Sequence, residues 1–150
     1  MRVFADLDEL TAAKGEHLGT GAWVELTQER IDTFAAATGD HQWIHVDPER
    51  AKDGPFGTTI AHGYLTLALI PLLSREIYRV DGVRMGIDYG LAKVRFVAAV
   101  PVGSRVRAGV ELLDVVDNPP GKLATLRTIV EVEGTGVRAC VADSMVRYAP

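Results

Sequence analysis

One cysteine, Cys140, in 150 residues excludes an internal disulfide and any paired-cysteine metal site, and it fits a reducing compartment. It lies in an alternating apolar stretch, the setting of a small core residue rather than a reactive thiol. No apolar run approaches the roughly 18 residues of a membrane span. The opening Met1-Arg2-Val3-Phe4-Ala5-Asp6 lacks the apolar centre of a signal peptide, so the expectation is a cytoplasmic protein with no membrane partner. No basic run exceeds a residue or two and the formal net charge is −4, which argues against a nucleic-acid surface. Four histidines (17, 41, 45 and 62) are present without an HxH or HExxH pattern, so no metal is expected. Internal repeats, low-complexity tracts and linkers are also missing. A hydrophobic fraction of 47% and a charged fraction of 24% are ordinary for a globular chain, and the length is that of one domain, residues 1–150, able to bury a real core.

What is present reads as a helix-containing first half and a strand-rich second half. Residues 5–21 mix Asp, Glu, Gly and Thr and suggest a short helix and a loop. Trp23-Val24-Glu25-Leu26 alternates briefly, as a first strand would. Thr27 then has the character of an N-cap, Glu29 favours the helix dipole, and Ile31, Phe34, Ala35 and Thr38 share one face until Gly39 stops the helix. Asp47-Pro48 can open one further helical turn. The run from Tyr64 to Ile77 is apolar on nearly every face, which marks a helix wrapped by other structure, although Pro71 predicts a kink or break within it.

After Gly82 the period becomes two. Val83–Tyr89 alternates, and Lys93-Val94-Arg95-Phe96 follows beyond Gly90. Pro101-Val102-Gly103-Ser104 is a turn, after which Val106, Ala108, Val110 and Leu112 alternate with polar residues and glycine. Asn118-Pro119-Pro120-Gly121 is a strong turn signal, and Leu123–Glu133 and Val137–Tyr148 are two more strands around Gly134-Thr135-Gly136. One buried helix followed by an antiparallel meander predicts an α+β fold with a single sheet around one long central helix.

The chemistry concentrates between residues 38 and 63. Asp40 and His45 lie five positions apart just past a helix stop, and Gly63 opens the most apolar helical run. Each has an ordinary alternative: Asp40 as a turn residue, His45 as a half-satisfied core histidine, Gly63 as a steric accommodation between helix and sheet. His41 and His62 read as local polar residues. Together, however, a carboxylate and an imidazole can hold one water, which either deprotonates while the other orients it. Unpaired N–H groups at a helix starting on Gly63 would meet a carbonyl oxygen, and glycine allows that oxygen to approach. The combination suits chemistry on an activated acyl group.

The stretch Phe34 to His45, with Thr38-Gly39-Asp40, followed by Gly57-Thr58-Thr59-Ile60-Ala61-His62-Gly63, resembles the signature of the MaoC-like, (R)-specific enoyl-CoA hydratases, in particular their short single-hotdog actinobacterial members. Val94-Arg95-Phe96 and Pro101-Val102-Gly103 resemble the strand and turn those proteins carry after the central helix, so the likeness covers almost the whole chain. It implies a hotdog fold, a homodimer joined through sheet edges, and active sites near the subunit interface. The implied reaction is reversible hydration of a trans-2-enoyl-CoA to the (R)-3-hydroxyacyl-CoA, with Asp40 and His45 as the catalytic pair, Gly63 N–H on the thioester oxygen, and no cofactor. Where the family carries Asp-x-Asn-Pro-x-His, this sequence has Gln42-Trp43 in the middle. Gln42 can replace Asn as a polar orienter, and Trp43 either walls the acyl pocket or packs beneath it. Lys93, Arg95 and Arg84 are candidates for the CoA phosphates. The rival readings are a dehydratase acting on acyl carrier protein, a hotdog acyl-CoA thioesterase, and a non-catalytic acyl-CoA-binding protein.

Overall fold

The alternation of the second half becomes long antiparallel strands in the computed structural model, which describes residues 1–150. In chain order the elements are β1 (Arg2–Phe4), α1 (Leu7–Ala12), β2 (His17–Thr20), β3 (Val24–Glu25), α2 (Gln28–Thr38), α3 (Trp43–Val46), α4 (Pro48–Ala51), α5 (Gly63–Ala68), α6 (Ile70–Ser74), β4 (Tyr78–Val80), β5 (Met85–Phe96), β6 (Arg105–Asn118), β7 (Gly121–Val132) and β8 (Arg138–Ala149). No helix is long and apolar enough to cross a membrane.

The boundaries of α2 follow the sequence signals. The Thr27 side chain accepts a hydrogen bond from the Arg30 N–H, which satisfies one free donor of the first turn. Gly39 takes the left-handed conformation at φ 82 and returns its N–H to the Ala35 carbonyl, so the chain leaves the helix with Asp40 as the next residue. Asp47 caps α4 through the Arg50 N–H, and Pro48 occupies its first turn.

The apolar run is not one long helix. α5 ends at Ala68 and α6 begins at Ile70, with Pro71 in the first turn of the second piece. Proline has no N–H to give to the Leu67 carbonyl, and this lost bond sits at the division. The run is also covered on fewer sides than its composition suggests. Leu65, Leu69, Leu73 and Ile77, spaced by four, are buried, whereas Tyr64, Ala68, Pro71 and Leu72 remain exposed. The buried row joins Val106, Ala108, Val110 and Leu112 of β6 and Val130, Cys140 and Ala142 from its neighbours in one core. Fully burying each such Leu or Val contributes about 1.5–3 kcal/mol.

The sheet differs from a simple meander. Its order is β2–β6–β7–β8–β5, with β3 also on β6. Tight turns make β6–β7 and β7–β8 into hairpins, but β5 pairs with β8, so residues 97–104 carry the chain across to β6. That connection holds the site segment: Ala61 N–H donates to Val100 O at 2.8 Å, and Val102 N–H donates to Thr59 O at 2.9 Å. β5 itself runs through Gly90 as a single 12-residue strand, with register shifts on either side of it, so the glycine is absorbed in a bulged strand rather than ending one. A parallel pairing of β1 with β4, and strand β2 in what reads as loop, were not foreseen, because these three- and four-residue strands are too short to show a period.

Cys140 is completely buried opposite Val130, and burial pushes its thiol up to about 11. A thiol reagent at pH 8 is therefore expected to label no cysteine in the folded protein and one per chain in denaturant. Rapid labelling of native protein would contradict this packing.

Candidate active site

The α2 stop delivers Asp40 to an exposed loop position, where its carboxylate accepts a weak hydrogen bond from the Gln42 N–H at 3.3 Å. His45 sits on the single turn α3 and is buried. Its position is fixed from two sides. Gln28 of α2 donates its amide to the His45 carbonyl at 2.8 Å and accepts from the buried Thr59 hydroxyl at 2.5 Å. The His45 ring places Nδ1 at 2.7 Å from the Ile60 carbonyl, while the Ile60 N–H donates to Ile44 O at 3.0 Å. A carbonyl can only accept, so Nδ1 carries the proton and the neutral ring has its lone pair on Nε2. An imidazole held this way can accept a proton from a bound water.

His62, which the sequence suggests is only a local polar residue, is the middle of the cluster. It is 2% exposed, and its ring stacks on His45 with centroids 3.8 Å apart and meets Phe34 at 4.9 Å. Nε2 lies 3.0 Å from the Asp40 carbonyl oxygen and 4.0 Å from its carboxylate, so by the same argument Nε2 is the donor. One donor atom each from Asp40, His45 and His62 falls within 4.8 Å of the others, close enough to share a single water or ion. The sequence signal for His62 is its place immediately before Gly63, at the N-cap of α5.

Gly63 begins α5, and neither its N–H nor that of Tyr64 has an acceptor within the helix. A Cβ on Gly63 would come to 2.9 Å from the Phe96 ring, so the close packing of β5 also demands glycine there. Both readings of this residue therefore have a physical basis. The strand faces separate the remaining candidates. Phe96 points toward Gly63, and Arg95, one residue earlier, points to the opposite face. Lys93 and Arg95 line a depression with Arg127, Arg138, Glu111 and Asp143, away from the Asp40–His45–His62 cluster. Arg84 donates its backbone N–H to Ala149 O beside the start of β5. Gln42 is exposed ahead of α3. Trp43 is half-buried, with its indole against Gly54 and the Arg50 guanidinium 4.4 Å from a ring centroid. It packs within its own loop.

A family model described as the MaoC like domain matches residues 9–133. The chain belongs to this family. The 3-hydroxyacyl-thioester dehydratase Z of Mycobacterium tuberculosis is 60% identical over 149 residues, covering 99% of each chain. Nodulation protein N of Rhizobium leguminosarum bv. viciae is 38% identical, over 96% of this chain and 92% of its own. Among solved structures, a monoamine oxidase regulatory protein from Archaeoglobus fulgidus superposes with a TM-score of 0.80 at 26% identity, covering 99% of this chain and 97% of that one. The (R)-hydratase from A. caviae involved in PHA biosynthesis gives 0.72 at 26% identity over 91% and 96%. The fold is the hotdog fold, α+β with an antiparallel sheet packed on the helical run.

The packing of Trp43 makes it a support for the loop between the catalytic candidates and Thr59. Trp43→Ala is expected to lower stability by about 1–3 kcal/mol, the lower range for a large-to-small change because the ring is only half-buried. This corresponds to a fall in Tm of roughly 3–10 °C for a chain of this size. An unchanged Tm would remove the indole from that supporting role.

Proposed function

We propose that the protein catalyses the reversible addition of water to a trans-2-enoyl thioester, giving the (R)-3-hydroxyacyl thioester, with Asp40 and His45 holding the water. The observations that carry this reading are the Nδ1–H of His45 donating to Ile60 O, which leaves the Nε2 lone pair free, and the grouping of one ligand atom each from Asp40, His45 and His62 within 4.8 Å. His45 Nε2 takes one proton from water as its oxygen bonds to the β-carbon, while the Asp40 carboxylate accepts a hydrogen bond from the other hydrogen, which stays on that oxygen as the new hydroxyl. The electron pair of the double bond moves toward the thioester, whose oxygen gathers negative charge. Gly63 N–H, unpaired at the start of α5, donates to that oxygen, a contribution of about 3 kcal/mol where single donors have been removed elsewhere. The proton taken from water returns to the α-carbon, so the pair ends as it began. The reverse sequence is dehydration, the direction in the name of the mycobacterial relative. No step calls on a cofactor. His62 positions the pair, stacked on one member and bonded to the backbone of the other.

Incubation with crotonyl-CoA and a longer enoyl-CoA, following loss of enoyl absorbance and release of free thiol, tests the reaction type. Hydration consumes the double bond without freeing thiol, thioester hydrolysis frees thiol, and a sensor does neither. Asp40→Asn and His45→Gln are each expected to lower turnover by more than about 100-fold with the fold retained. The double variant should be little worse, because both residues act on one water. Near-native turnover in either single variant with an unchanged circular dichroism spectrum would reject the pair. Repeating the assay with an acyl carrier protein thioester separates the two carriers.

We infer further that all 150 residues act as one domain and that two copies associate through β5. Phe4 and Leu10, outside or at the edge of the matched family region, belong to the same core as the sheet. The β5 edge is unpaired within the chain, 12 residues long, and carries exposed Met85, Ile87, Tyr89 and Leu91. Such an edge is a liability that pairing with a second copy removes. Light scattering at micromolar concentration is expected to give about 32 kDa, twice the chain mass of 16.2 kDa. A mass of one chain throughout that range would contradict the association.

A further inference from the structure

Beyond the reacting atoms, one side of the helical run leads to a polar cavity. Gly63, Leu67, Ile70 and Ser74 follow one another at spacings of three or four, close to a helical turn, with Pro71 beside Ile70, and Tyr78 continues the line. A groove of about 490 Å³ lies between Leu67–Pro71 and residues Asp88–Leu91 of β5. A cavity of about 260 Å³ adjoins it, sharing Ile70, Pro71, Asp88 and Ser144 with the groove and ending at Ser74, Tyr78 and Tyr148. The first space is mostly apolar. The second ends in hydroxyl groups.

Those hydroxyls have hydrogen-bonding capacity left over. The Tyr78 and Tyr148 oxygens are 3.1 Å apart, so one donates to the other and the accepting tyrosine still has its own proton to place. The Ser74 hydroxyl is buried with no partner at all. Burial raises both tyrosines above the ordinary phenol range, so they remain O–H donors. A buried donor without an acceptor is unfavourable, and an acceptor oxygen brought into the cavity relieves it. The cavity lining carries both signs of charge: Asp88 and Arg75 both line it, and Arg79 is already paired with Asp81 at 2.8 Å. A neutral oxygen suits this lining better than a carboxylate.

Taking the thioester reading of the site as given, we propose that the groove receives the acyl chain and that Ser74, Tyr78 and Tyr148 bind a hydroxyl or keto oxygen carried far along it. Ser74 lies eleven positions after Gly63, at most about 16 Å at the helical rise across the two helical pieces, within the reach of an acyl chain of roughly ten to twelve carbons. The favoured substrate is then an oxygenated medium-to-long acyl thioester rather than a plain one. The apolar groove accommodates the methylenes, and the hydroxyl cluster selects the distal oxygen.

The test measures binding without turnover. Saturated dodecanoyl-CoA is compared by calorimetry with dodecanoyl-CoA bearing a hydroxyl at carbon 8, 10 or 12. At least one hydroxylated isomer is expected to bind about three- to tenfold more tightly than the plain chain, the range of one neutral hydrogen bond. Ser74→Ala and, separately, Tyr78→Phe should bring that ratio close to one; the serine variant serves if the tyrosine variant folds poorly. Equal binding of all four thioesters means the cavity holds water only and overturns the proposal while leaving the thioester reading intact. A preference that survives both substitutions also overturns it. If none of the four binds, the thioester reading fails and this inference falls with it.

Discussion

The backbone of Ile60 is the point on which the site depends. Its N–H holds the carbonyl of Ile44, and its carbonyl receives the Nδ1 proton of His45, so one peptide unit anchors both the main chain and the ring of the short turn α3. A four-residue helix cannot hold a side chain in one orientation by itself, because helix nucleation is unfavourable at that length. The orientation is supplied from outside. Thr59 and Ala61, on either side of Ile60, bond to Val102 and Val100, and these lie on the connection between β5 and β6. The imidazole is thus referred to the sheet through two layers of hydrogen bonds, and the crossover that breaks the meander is what brings them together.

This explains which parts of the structure were legible in the sequence. Signals that act within a few residues read correctly: Thr27 and Gly39 bound α2, Asp47 and Pro48 start α4, and Pro71 divides the apolar run. The hairpins around Pro119-Pro120 and Gly134–Gly136 are equally local. What the sequence does not carry is pairing at a distance. The alternation of β5 is the same whether its neighbour is β6 or β8, because period two records a buried face and not a partner. His62 was missed for a related reason. Its importance lies in a stack on a residue 17 positions earlier and a bond to one 22 positions earlier, and neither leaves a periodic mark.

The candidate site was legible in composition and only partly in position. Asp40, His45 and Gly63 converge, with Asp40 and His45 bridged by His62 and Gly63 directly following it. Lys93 and Arg95 do not join them, since a strand residue beside one that faces the helix must face away from it. Trp43 replaces a rigid loop residue of the family pattern with a large flat ring, and Gly54 leaves the space that the ring occupies. A Cβ at Gly54 would approach the indole to 2.9 Å, so the tryptophan and the glycine act as a matched pair. Rigidity that proline would give by restricting φ is here supplied by packing and by the Arg50 guanidinium over the indole.

Strand β5 connects the site to whatever lies beyond the single chain. Its inner face carries Phe96 against Gly63 and, farther along, Leu91 and Asp88 beside the groove that leads to Ser74. Its free edge has no partner within the fold. A second chain added along that edge would hold β5 straight against α5 and α6 and thereby fix the width of the groove between them. Without such a neighbour, a bulged strand hydrogen-bonded on one side only is among the easier parts of a sheet to open locally. The apolar side chains exposed along β5 thus bear on two properties at once. They would make a second copy of the chain welcome at this edge, and its pairing there would stiffen the wall that the acyl chain of the proposed substrate would meet.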